Sequence, residues 1–354
     1  LRECKQMKTI VIHNAKDLRI DHDVVRDVAA GEVEVKIAVG GVCGSDLHYY
    51  NHGGFGAIRL KEPMILGHEV AGIISQVGAD VSHLAVGDHV AVSPSRPCGA
   101  CVYCAAGRHN HCLNMRFYGS AMPFPHIQGA FRERLVASAE QCTPTGNLSL
   151  GEAAMAEPLA VVLHGVRRAG ELVGKKVLIT GCGPIGMLCL LAARRAGAVE
   201  IVMTDIAENA LLNAHTCGAD RVINTKDEPE LLAAYDDDKG YFDVMFECTG
   251  AAPALIGGLT AVRPRAVIVQ LGMGGDMPLP MVMVTAKELD LRGSFRFHEE
   301  FATGIAMMKQ GLIDVKPLIS HTVPLEDAEQ AFLIASDPLQ SSLKTQIQDI
   351  GRAA

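Results

Sequence analysis

The sequence lacks the features that indicate a highly charged or a membrane partner. It has no block rich in lysine and arginine, and its formal charge is −8, from 32 Lys+Arg against 40 Asp+Glu. This balance argues against nucleic acid or an anionic membrane as a partner. The longest uncharged run of note, residues 177–193, contains glycines and a proline and makes a poor membrane span. A small soluble molecule is the expected ligand.

The first residues of the sequence do not predict a secretory signal. No apolar segment follows Leu1–Lys5, so we do not expect these residues to form a signal peptide. The eleven cysteines are an odd number, and four of them cluster at positions 98–112, which suits thiolate metal binding better than a disulfide framework. We therefore expect a cytoplasmic protein.

The length and composition predict a folded chain with two domains. Of its 354 residues, 49% are hydrophobic, which is enough to bury a full core and to exclude disorder as the main state. Residues 8–136 are strand-like, and the apolar residues 33, 35, 37 and 39 share one face of a strand. Glycine-rich steps interrupt this region. We predict an irregular, mainly β domain there, with a helix after Ser149 leading into the second domain.

From residue 175 strands, glycine turns and helices alternate, which predicts an α/β fold with a doubly wound parallel sheet. Two of the predicted elements are a strand at Phe242–Glu247 and a helix at Ala252–Ala261. Near the end we predict a strand at Leu291–Phe297 and a helix at Glu299–Lys309. These do not extend the repeat, so we expect the tail to return to the first domain.

A glycine turn follows the first strand of this repeat and opens a helix. It consists of Gly181, Cys182, Gly183, Pro184, Ile185 and Gly186. The first glycine permits the tight turn, the second lets the backbone approach a pyrophosphate, and the third lets the helix pack on the strand. Proline suits the first helical turn, whose N-terminus would face the phosphates. The alternative is a glycine turn that binds no ligand.

Asp205 ends the next predicted strand, where a carboxylate can accept hydrogen bonds from both hydroxyls of the adenosine ribose. No Arg or Lys follows at positions 206–209 to offset its repulsion of a 2′-phosphate, which favours NAD over NADP. A role as a helix cap is the alternative.

A cysteine cluster predicts a structural zinc site. Cys98, Cys101, Cys104 and Cys112 have the spacing C-x2-C-x2-C-x7-C. Four thiolates this close form the ligand set of a closed tetrahedral zinc, which would hold together a loop poor in apolar residues. An iron–sulfur cluster is the other interpretation of four thiolates, and unligated buried cysteines are a third.

A second set of metal-binding residue types is dispersed over two segments. Cys43 lies in the first, and His68 and Glu69 lie in the second. A thiol, an imidazole and a carboxylate suit a catalytic zinc that keeps one position open for water or substrate. Spacing alone leaves this interpretation and a purely structural one about equally supported.

Together these residues resemble the zinc-dependent medium-chain dehydrogenase/reductase superfamily and, within it, the sorbitol dehydrogenase and L-idonate 5-dehydrogenase branch. The resemblance covers nearly the whole chain. It is carried by residues 41–48, 66–69, the four-cysteine loop, residues 156–160 and the glycine turn. Residues 115–122 and 293–297 look more like the idonate enzymes than the sorbitol dehydrogenases.

The resemblance implies a GroES-like, β-rich catalytic domain at residues 1–155, to which residues 293–354 return, and a Rossmann domain at residues 156–292. It implies two zinc ions per chain, one held by the four cysteines and one by Cys43, His68 and Glu69. Glu157 would complete or support the second site. NAD would be the cofactor, with NADP possible, and the chain would form a dimer or tetramer.

The resemblance also assigns catalytic roles. Ser45 would pass the substrate's hydroxyl proton towards His48, whose ordinary pKa near 6.5 suits release to solvent. Arg296 would contact Glu157 or the substrate. Asp46 could accept a hydrogen bond from the second ring nitrogen of His68, with a simple turn carboxylate as the alternative.

By the same resemblance, further residues would flank the cofactor: Thr249, Leu271, Gly272 and Met273. The implied reaction oxidises a secondary carbon of a sugar acid, L-idonate to 5-keto-D-gluconate. Arg116, Arg296 or His298 could receive the substrate carboxylate, although a structural role is equally open for each.

Other functions remain open at this point. Sorbitol or xylitol is the next candidate substrate, and L-threonine is a more distant one. A non-catalytic cofactor-binding or scaffold protein is the alternative of a different class, and the presence of Ser45, His48, His68 and Glu69 disfavours it. A zinc-independent quinone reductase is excluded because those enzymes lack both ligand sets.

Overall fold

The computed structural model describes residues 6–351, which divide into two compact units. Unit 1 holds the residues up to Glu157, Phe301–Gln310 and the residues from Ile319 onward, and unit 2 holds Pro158–Glu300 and Gly311–Leu318. The opening segment 1–5, for which no signal peptide is predicted, lies outside the described residues. Within residues 6–351, none of the helices has both the length and the apolar character needed to cross a bilayer.

The strands and helices are as follows. The first part of the chain forms β1 Gln6–Asn14, β2 Asp17–Val24, β3 Glu32–Gly41, α1 Gly44–His52, β4 Gly54–Phe55, β5 Ile58–Arg59, β6 Met64–Ile65, β7 Glu69–Val77, β8 His89–Val92, β9 Ser95–Arg96, α2 Val102–Ala105, β10 Arg116–Phe117, β11 Arg134–Ser138, β12 Cys142–Pro144 and α3 Leu150–Ala154. The middle part forms α4 Ala156–Ala169, β13 Lys176–Thr180, α5 Pro184–Arg195, β14 Glu200–Asp205, α6 Glu208–Thr216, β15 Arg221–Asn224, α7 Pro229–Ala233, β16 Phe242–Glu247, α8 Ala252–Ala261, β17 Val262–Gln270, α9 Met281–Ala286 and β18 Asp290–Gly293. The last part forms α10 Glu300–Lys309, β19 Ile319–Pro324, α11 Ala328–Ser336 and β20 Lys344–Gln348.

Unit 1 is built around a mainly antiparallel sheet with the strand order β12-β8-β7-β3-β20-β19, in which β11 also pairs with β3. The apolar face predicted for β3 lies in the core, where Val33, Val35 and Ile37 have no exposed surface. β3 pairs with both β7 and β20, so it brings the starts of β7 and β20 beside its own end. This register places residues from three distant parts of the sequence next to one another.

Unit 2 contains a six-stranded parallel sheet with the order β15-β14-β13-β16-β17-β18. Counted from its first strand, this is the order 3-2-1-4-5-6 of a doubly wound sheet, whose ligands bind at the carboxyl ends of the strands where the order reverses. The reversal falls between β13 and β16, which pair from Val177 to Thr180. The predicted α/β class with a doubly wound parallel sheet is confirmed.

The last strand of this sheet is shorter than predicted. A strand is predicted at Leu291–Phe297, but β18 ends at Gly293. Ser294 N still donates to Gln270 O, after which the chain turns away, and Arg296 has a φ of 55°, which a strand does not permit. The segment after β18 stays with unit 2 as far as Glu300. The predicted domain boundaries at residues 155 and 293 stay predictions.

Candidate metal centres and cofactor site

The four-cysteine loop of unit 1 brings its sulfurs together. The ligand atoms of Cys98, Cys101, Cys104 and Cys112 all lie within 4.8 Å of one another. Cys101 precedes the short helix α2, and Cys104 lies within it, so one helical turn places these two sulfurs on the same side.

Backbone N–H groups point at these sulfurs. Cys112 Sγ accepts from Cys98 N at 3.1 Å and from Asn114 N at 3.4 Å. Backbone donors from Ala100 and Cys101 lower the pKa of Cys98 to about 6, whereas burial and the neighbouring thiols raise the pKa of Cys104 to about 12. Zinc binds cysteines in the thiolate form, and backbone N–H groups that donate to sulfur stabilise that form. Four sulfurs close together with such donors therefore fit a closed zinc site.

The second cluster joins the end of β3 to the start of β7. Cys43, His68 and Glu69 offer a sulfur, a ring nitrogen and a carboxylate oxygen within 4.8 Å of one another. Gly41 pairs with Glu69, and a Cβ on Gly41 would lie 2.2 Å from Glu69 Oε2, so a larger residue there would displace the Glu69 carboxylate. The antiparallel register of β3 and β7 thus explains why segments so far apart in sequence meet.

His68 is fixed by the glycine before it. Gly67 has a φ of 91°, and a Cβ on it would lie 2.1 Å from the ring of Phe131. The His68 ring is buried and packs against Phe117, with the ring centroids 5.7 Å apart. The imidazole is therefore held in place before any metal binds.

Asp46 faces the other nitrogen of this ring, but more loosely than predicted. Asp46 Oδ1 lies 3.7 Å from His68 Nδ1, which is longer than a hydrogen bond, and among residues 6–351 this nitrogen has no hydrogen-bond partner. Asp46 Oδ2 instead accepts from Cys43 N at 3.1 Å, at the N-terminus of α1. Burial raises the pKa of Asp46, and although burial also lowers that of His68, the charges of Asp46 and Cys43 raise it well above its ordinary value.

Glu157 belongs to the same electrostatic cluster. It lies in the first turn of α4 and is 6% exposed. Burial raises the pKa of Glu157 to about 7, an effect that His68 opposes and Glu69 reinforces. The cluster thus combines a thiol, an imidazole and several buried acidic groups, a donor set that fits a dication such as zinc.

Lys344 is a residue of this cluster that the sequence analysis missed. Its Nζ contacts both carboxylate oxygens of Glu69, at 2.8 and 2.7 Å, and the carbonyl of Val42 at 3.2 Å. Both side chains are almost completely buried, and although burial lowers the pKa of Lys344, Glu69 raises it above its ordinary value. Glu69 is therefore held in an ion pair, and its part as a direct metal ligand stays a prediction. A single lysine 275 residues from its partner gives no signal in the sequence.

Ser45 and His48 lie on α1, which begins directly after Cys43. They are three residues apart and so share one face of the helix. Ser45 is half-buried, and His48 is exposed with its ring 5.4 Å from that of Phe55. Desolvation by its neighbours and the nearby His52 lower the pKa of His48. Proton transfer through Ser45 and His48 stays a prediction.

The glycine turn of unit 2 has the geometry of a phosphate-binding turn. Gly181 has a φ of 94°, and a Cβ on Gly186 would lie 1.8 Å from Gly181 O, so both positions require glycine. Gly183 is the N-cap of α5, and Pro184 and Ile185 begin that helix. A Cβ on Gly183 would meet no atom within 4 Å, which leaves open space in front of the helix N-terminus for a phosphate group.

Asp205 is held against this turn. Its Oδ2 accepts from Cys182 N at 2.7 Å, and its Oδ1 accepts from Ile206 N and Ala207 N at 2.7 and 3.0 Å. The N-cap of α6 is Ala207, so Asp205 does not cap that helix. The half-buried carboxylate lies at the end of β14, where the predicted ribose contact requires it.

The predicted nicotinamide-flanking residues lie at the same edge of the sheet. Thr249 follows β16, and Leu271, Gly272 and Met273 follow β17. Thr249 Cγ2 lies 2.8 Å from where a Cβ on Gly181 would be, so the loop after β16 packs on the glycine turn. The parallel sheet therefore gathers the predicted cofactor residues of unit 2 at the carboxyl ends of its strands.

The residues predicted to receive a substrate carboxylate belong to different units. Arg116 lies on β10 of unit 1 and is exposed. Arg296 and His298 belong to unit 2, where the Arg296 guanidinium lies 4.9 Å from the centre of the Phe295 ring. Their substrate contacts stay predictions.

Comparison with known proteins identifies the family. The alcohol dehydrogenase GroES-like domain matches residues 29–147, and the zinc-binding dehydrogenase family matches residues 184–310. The chain is 43% identical over 310 residues to the Escherichia coli (strain K12) protein named L-idonate 5-dehydrogenase (NAD(P)(+)), covering 87% of this chain and 89% of that protein.

It is also 35% identical over 334 residues to human sorbitol dehydrogenase, covering 92% and 91% of the two chains. The crystal structure of L-idonate 5-dehydrogenase from E. coli K-12 superposes with a TM-score of 0.93 at 40% identity, over 97% of this chain and 98% of that one. The resemblance inferred from the motifs is thereby confirmed. The chain belongs to the zinc-binding dehydrogenases of the medium-chain dehydrogenase/reductase superfamily.

Proposed function

We propose that this chain oxidises a secondary hydroxyl of a sugar acid by hydride transfer to NAD, with L-idonate as the substrate and 5-keto-D-gluconate as the product. The observation that carries the proposal is the thiol, imidazole and carboxylate cluster of Cys43, His68 and Glu69. It occurs in a chain 43% identical to a protein named for L-idonate oxidation. The cytoplasmic location stays a prediction.

The residues of unit 1 would remove the hydroxyl proton. Cys43 and His68 would hold a zinc ion, with Glu69 and Glu157 beside them. A zinc ion supplies a Lewis acid, which eases loss of a hydroxyl proton much as it lowers the pKa of water from about 15.7 to about 7. Ser45 would accept the proton from the substrate and pass it towards His48, which is exposed and can release it to solvent.

The residues of unit 2 would bind and orient the dinucleotide. The first turn of α5 would bind the pyrophosphate through its backbone N–H groups, since Gly183 leaves that approach open. The Asp205 carboxylate would accept from the ribose hydroxyls and repel a 2′-phosphate, which supports NAD over NADP. Thr249 and Leu271–Met273 would flank the nicotinamide.

Two zinc ions per chain are expected, one in each cluster of unit 1. Cys104→Ser should lower the zinc content from two ions to about one and lower the unfolding temperature, because the loop loses the ion that holds it together. Cys43→Ala should also leave about one zinc ion, but it should abolish turnover while NADH still binds. Elemental analysis of the purified proteins and calorimetric unfolding provide the measurements.

Cys217→Ser is the matched control for the zinc content. Cys217 is a half-buried thiol of unit 2 that belongs to neither metal cluster. This variant should retain both zinc ions. Retention of two zinc ions by Cys104→Ser would remove the four-cysteine loop from the metal sites.

We also infer that the chain forms a homo-oligomer through one edge of unit 2. β18 is the edge strand of the six-stranded sheet and pairs only with β17 among the described strands. α9 precedes it and has no buried residue, and its Met281 and Val282 are 57% and 85% exposed. An unpaired strand beside an exposed apolar helix favours pairing with a second copy around a twofold axis.

Val282→Lys should weaken this association, because it would place a charge on the apolar helix in each of the two copies. Sedimentation velocity should show a dimer or tetramer for the unmodified protein and a larger monomer fraction for the variant. Val199→Lys is the control, since Val199 is 59% exposed but lies outside α9 and β18. A monomeric unmodified protein would contradict the inference.

Initial rates test the proposed substrate and cofactor together. L-idonate, D-gluconate, sorbitol, xylitol and L-threonine should each be measured with NAD and with NADP. The highest kcat/KM is expected for L-idonate with NAD. Arg116→Gln should raise the KM for L-idonate about tenfold and leave that for sorbitol unchanged, since a hydrogen bond between charged groups contributes about 1.5–3 kcal/mol.

Each other outcome of this screen has a distinct meaning. A higher kcat/KM for sorbitol or xylitol would make the chain a polyol dehydrogenase and contradict the sugar-acid proposal. Cofactor binding without turnover of any substrate would indicate the non-catalytic scaffold. An equal effect of Arg116→Gln on both substrates would rule out a contact between Arg116 and the carboxylate.

A further inference from the structure

Glu247 is a fully buried carboxylate in unit 2 that none of the predicted roles explains. It is the last residue of β16, all six residues of which are buried, and it has no exposed surface. β16 lies beside β13 at the reversal of strand order. Glu247 is therefore at the carboxyl edge of the sheet, at the position where a doubly wound fold binds its ligand.

The donors around this carboxylate come from three different strand ends. Its Oε1 accepts from Thr249 N at 2.8 Å, from Gly250 N at 3.1 Å and from the hydroxyl of Thr249. It also accepts from Thr180 Oγ1, at the end of β13, at 3.4 Å. Its Oε2 accepts from Gly250 N at 3.0 Å and from Gln270 Nε2, at the end of β17. These donors are all neutral, in contrast to the lysine that holds Glu69 in unit 1.

The main chain of Glu247 extends the same connection. Its carbonyl oxygen accepts from Leu271 N at 2.9 Å and from Gly272 N at 2.8 Å. One residue thus binds both loops at this edge of the sheet, the loop after β16 through its side chain and the loop after β17 through its backbone.

These two loops touch through their backbones. A Cβ on Gly272 would lie 2.1 Å from Gly250 N and 2.8 Å from Glu247 Oε2. A Cβ on Gly274 would lie 2.0 Å from Gly250 O. Side chains at these two positions would push the loops apart, and the donors that converge on Glu247 hold the loops together.

We propose that Glu247 is a positioning residue, which holds Thr249 and residues 271–273 in the arrangement that binds the nicotinamide end of the dinucleotide. This inference rests on the proposed function, because the two loops carry the residues predicted to flank that ring. Glu247 itself contacts the loops and acts on the cofactor only through them.

The chemistry of the site requires a carboxylate here and not an amide. Each oxygen of Glu247 faces donors, so the NH2 group of a glutamine would face either Thr249 and Gly250 or the amide of Gln270. Two donors would then point at each other, and a buried donor without an acceptor is unfavourable. Turning the Gln270 amide would supply an acceptor, but Gln270 Nε2 also donates to Gly272 O at 2.8 Å, and that carbonyl would then lose its donor. Exchanging the two side chains restores the pair between positions 247 and 270, because glutamine at 247 can donate to glutamate at 270, but it also leaves Gly272 O without this donor.

Glu247→Gln tests the proposal. We expect the Kd for NADH, measured by fluorescence titration, to rise about tenfold or more, while the zinc content stays unchanged. The KM for NAD should rise by a similar factor, and kcat should change less. Without any cofactor, hydrogen exchange at the Thr249 and Gly250 amides should become faster, since a neutral amide oxygen accepts a hydrogen bond more weakly than a carboxylate.

Two further variants separate positioning from general stability. The double variant Glu247→Gln/Gln270→Glu should recover part of the NADH affinity lost in Glu247→Gln, a recovery that a merely structural role does not predict. Glu200→Gln is the matched control. Glu200 is the first residue of β14, so it lies at the amino ends of the strands of the same sheet, and it accepts a hydrogen bond from the Tyr241 hydroxyl at 2.7 Å. This variant should leave the Kd for NADH unchanged even if the unfolding temperature falls.

Gln270→Met covers the case in which Glu247→Gln does not fold. It removes one donor to Glu247 and should raise the Kd for NADH in the same direction by a smaller factor. An unchanged Kd in the folded Glu247→Gln or Gln270→Met protein, with normal binding by the unmodified protein, would overturn this inference alone. Failure of the unmodified protein to bind NADH would overturn the proposed function as well.

Discussion

Excess negative charge inside unit 1 is the constraint on which the candidate catalytic site depends. Asp46, Glu69 and Glu157 are 0%, 1% and 6% exposed, and of these three Lys344 contacts Glu69 directly, while its charge also opposes the raised pKa of Glu157. A buried charge without a partner costs several kcal/mol. A divalent cation beside Cys43 and His68 would offset the remaining charge.

The two units hold their buried carboxylates by different means, and the difference suits different tasks. Glu69 is held by one cation, Lys344, and lies next to Cys43 and His68, which can bind a metal cation. Glu247 is held by neutral donors from neighbouring loops, which fixes those loops without adding a positive charge. Close backbone contacts accompany both carboxylates, since Gly41 makes room for Glu69 and Gly272 makes room for Glu247.

Local patterns in the sequence predicted the features that depend on local chemistry. The strand Phe242–Glu247 and the helix Ala252–Ala261 match the structure, because apolar runs bounded by turn residues define them. The glycine turn was predictable because its steric requirements involve only the six consecutive residues 181–186. Lys344 could not be found, since its contact with Glu69 depends on the register of β20 against β3. The role of Glu247 was missed for the same reason, because its donors come from three separate strand ends.

The central claim is that Cys43 and His68 hold a zinc ion in the interior of unit 1. X-ray diffraction from crystals of the purified protein, recorded just above and just below the zinc absorption edge, tests it most directly. The account predicts two anomalous peaks per chain, one among the four cysteines and one at about 2.3 Å from Cys43 Sγ and about 2.0–2.1 Å from a ring nitrogen of His68. A catalytically active protein with a peak at the cysteine loop alone would contradict it.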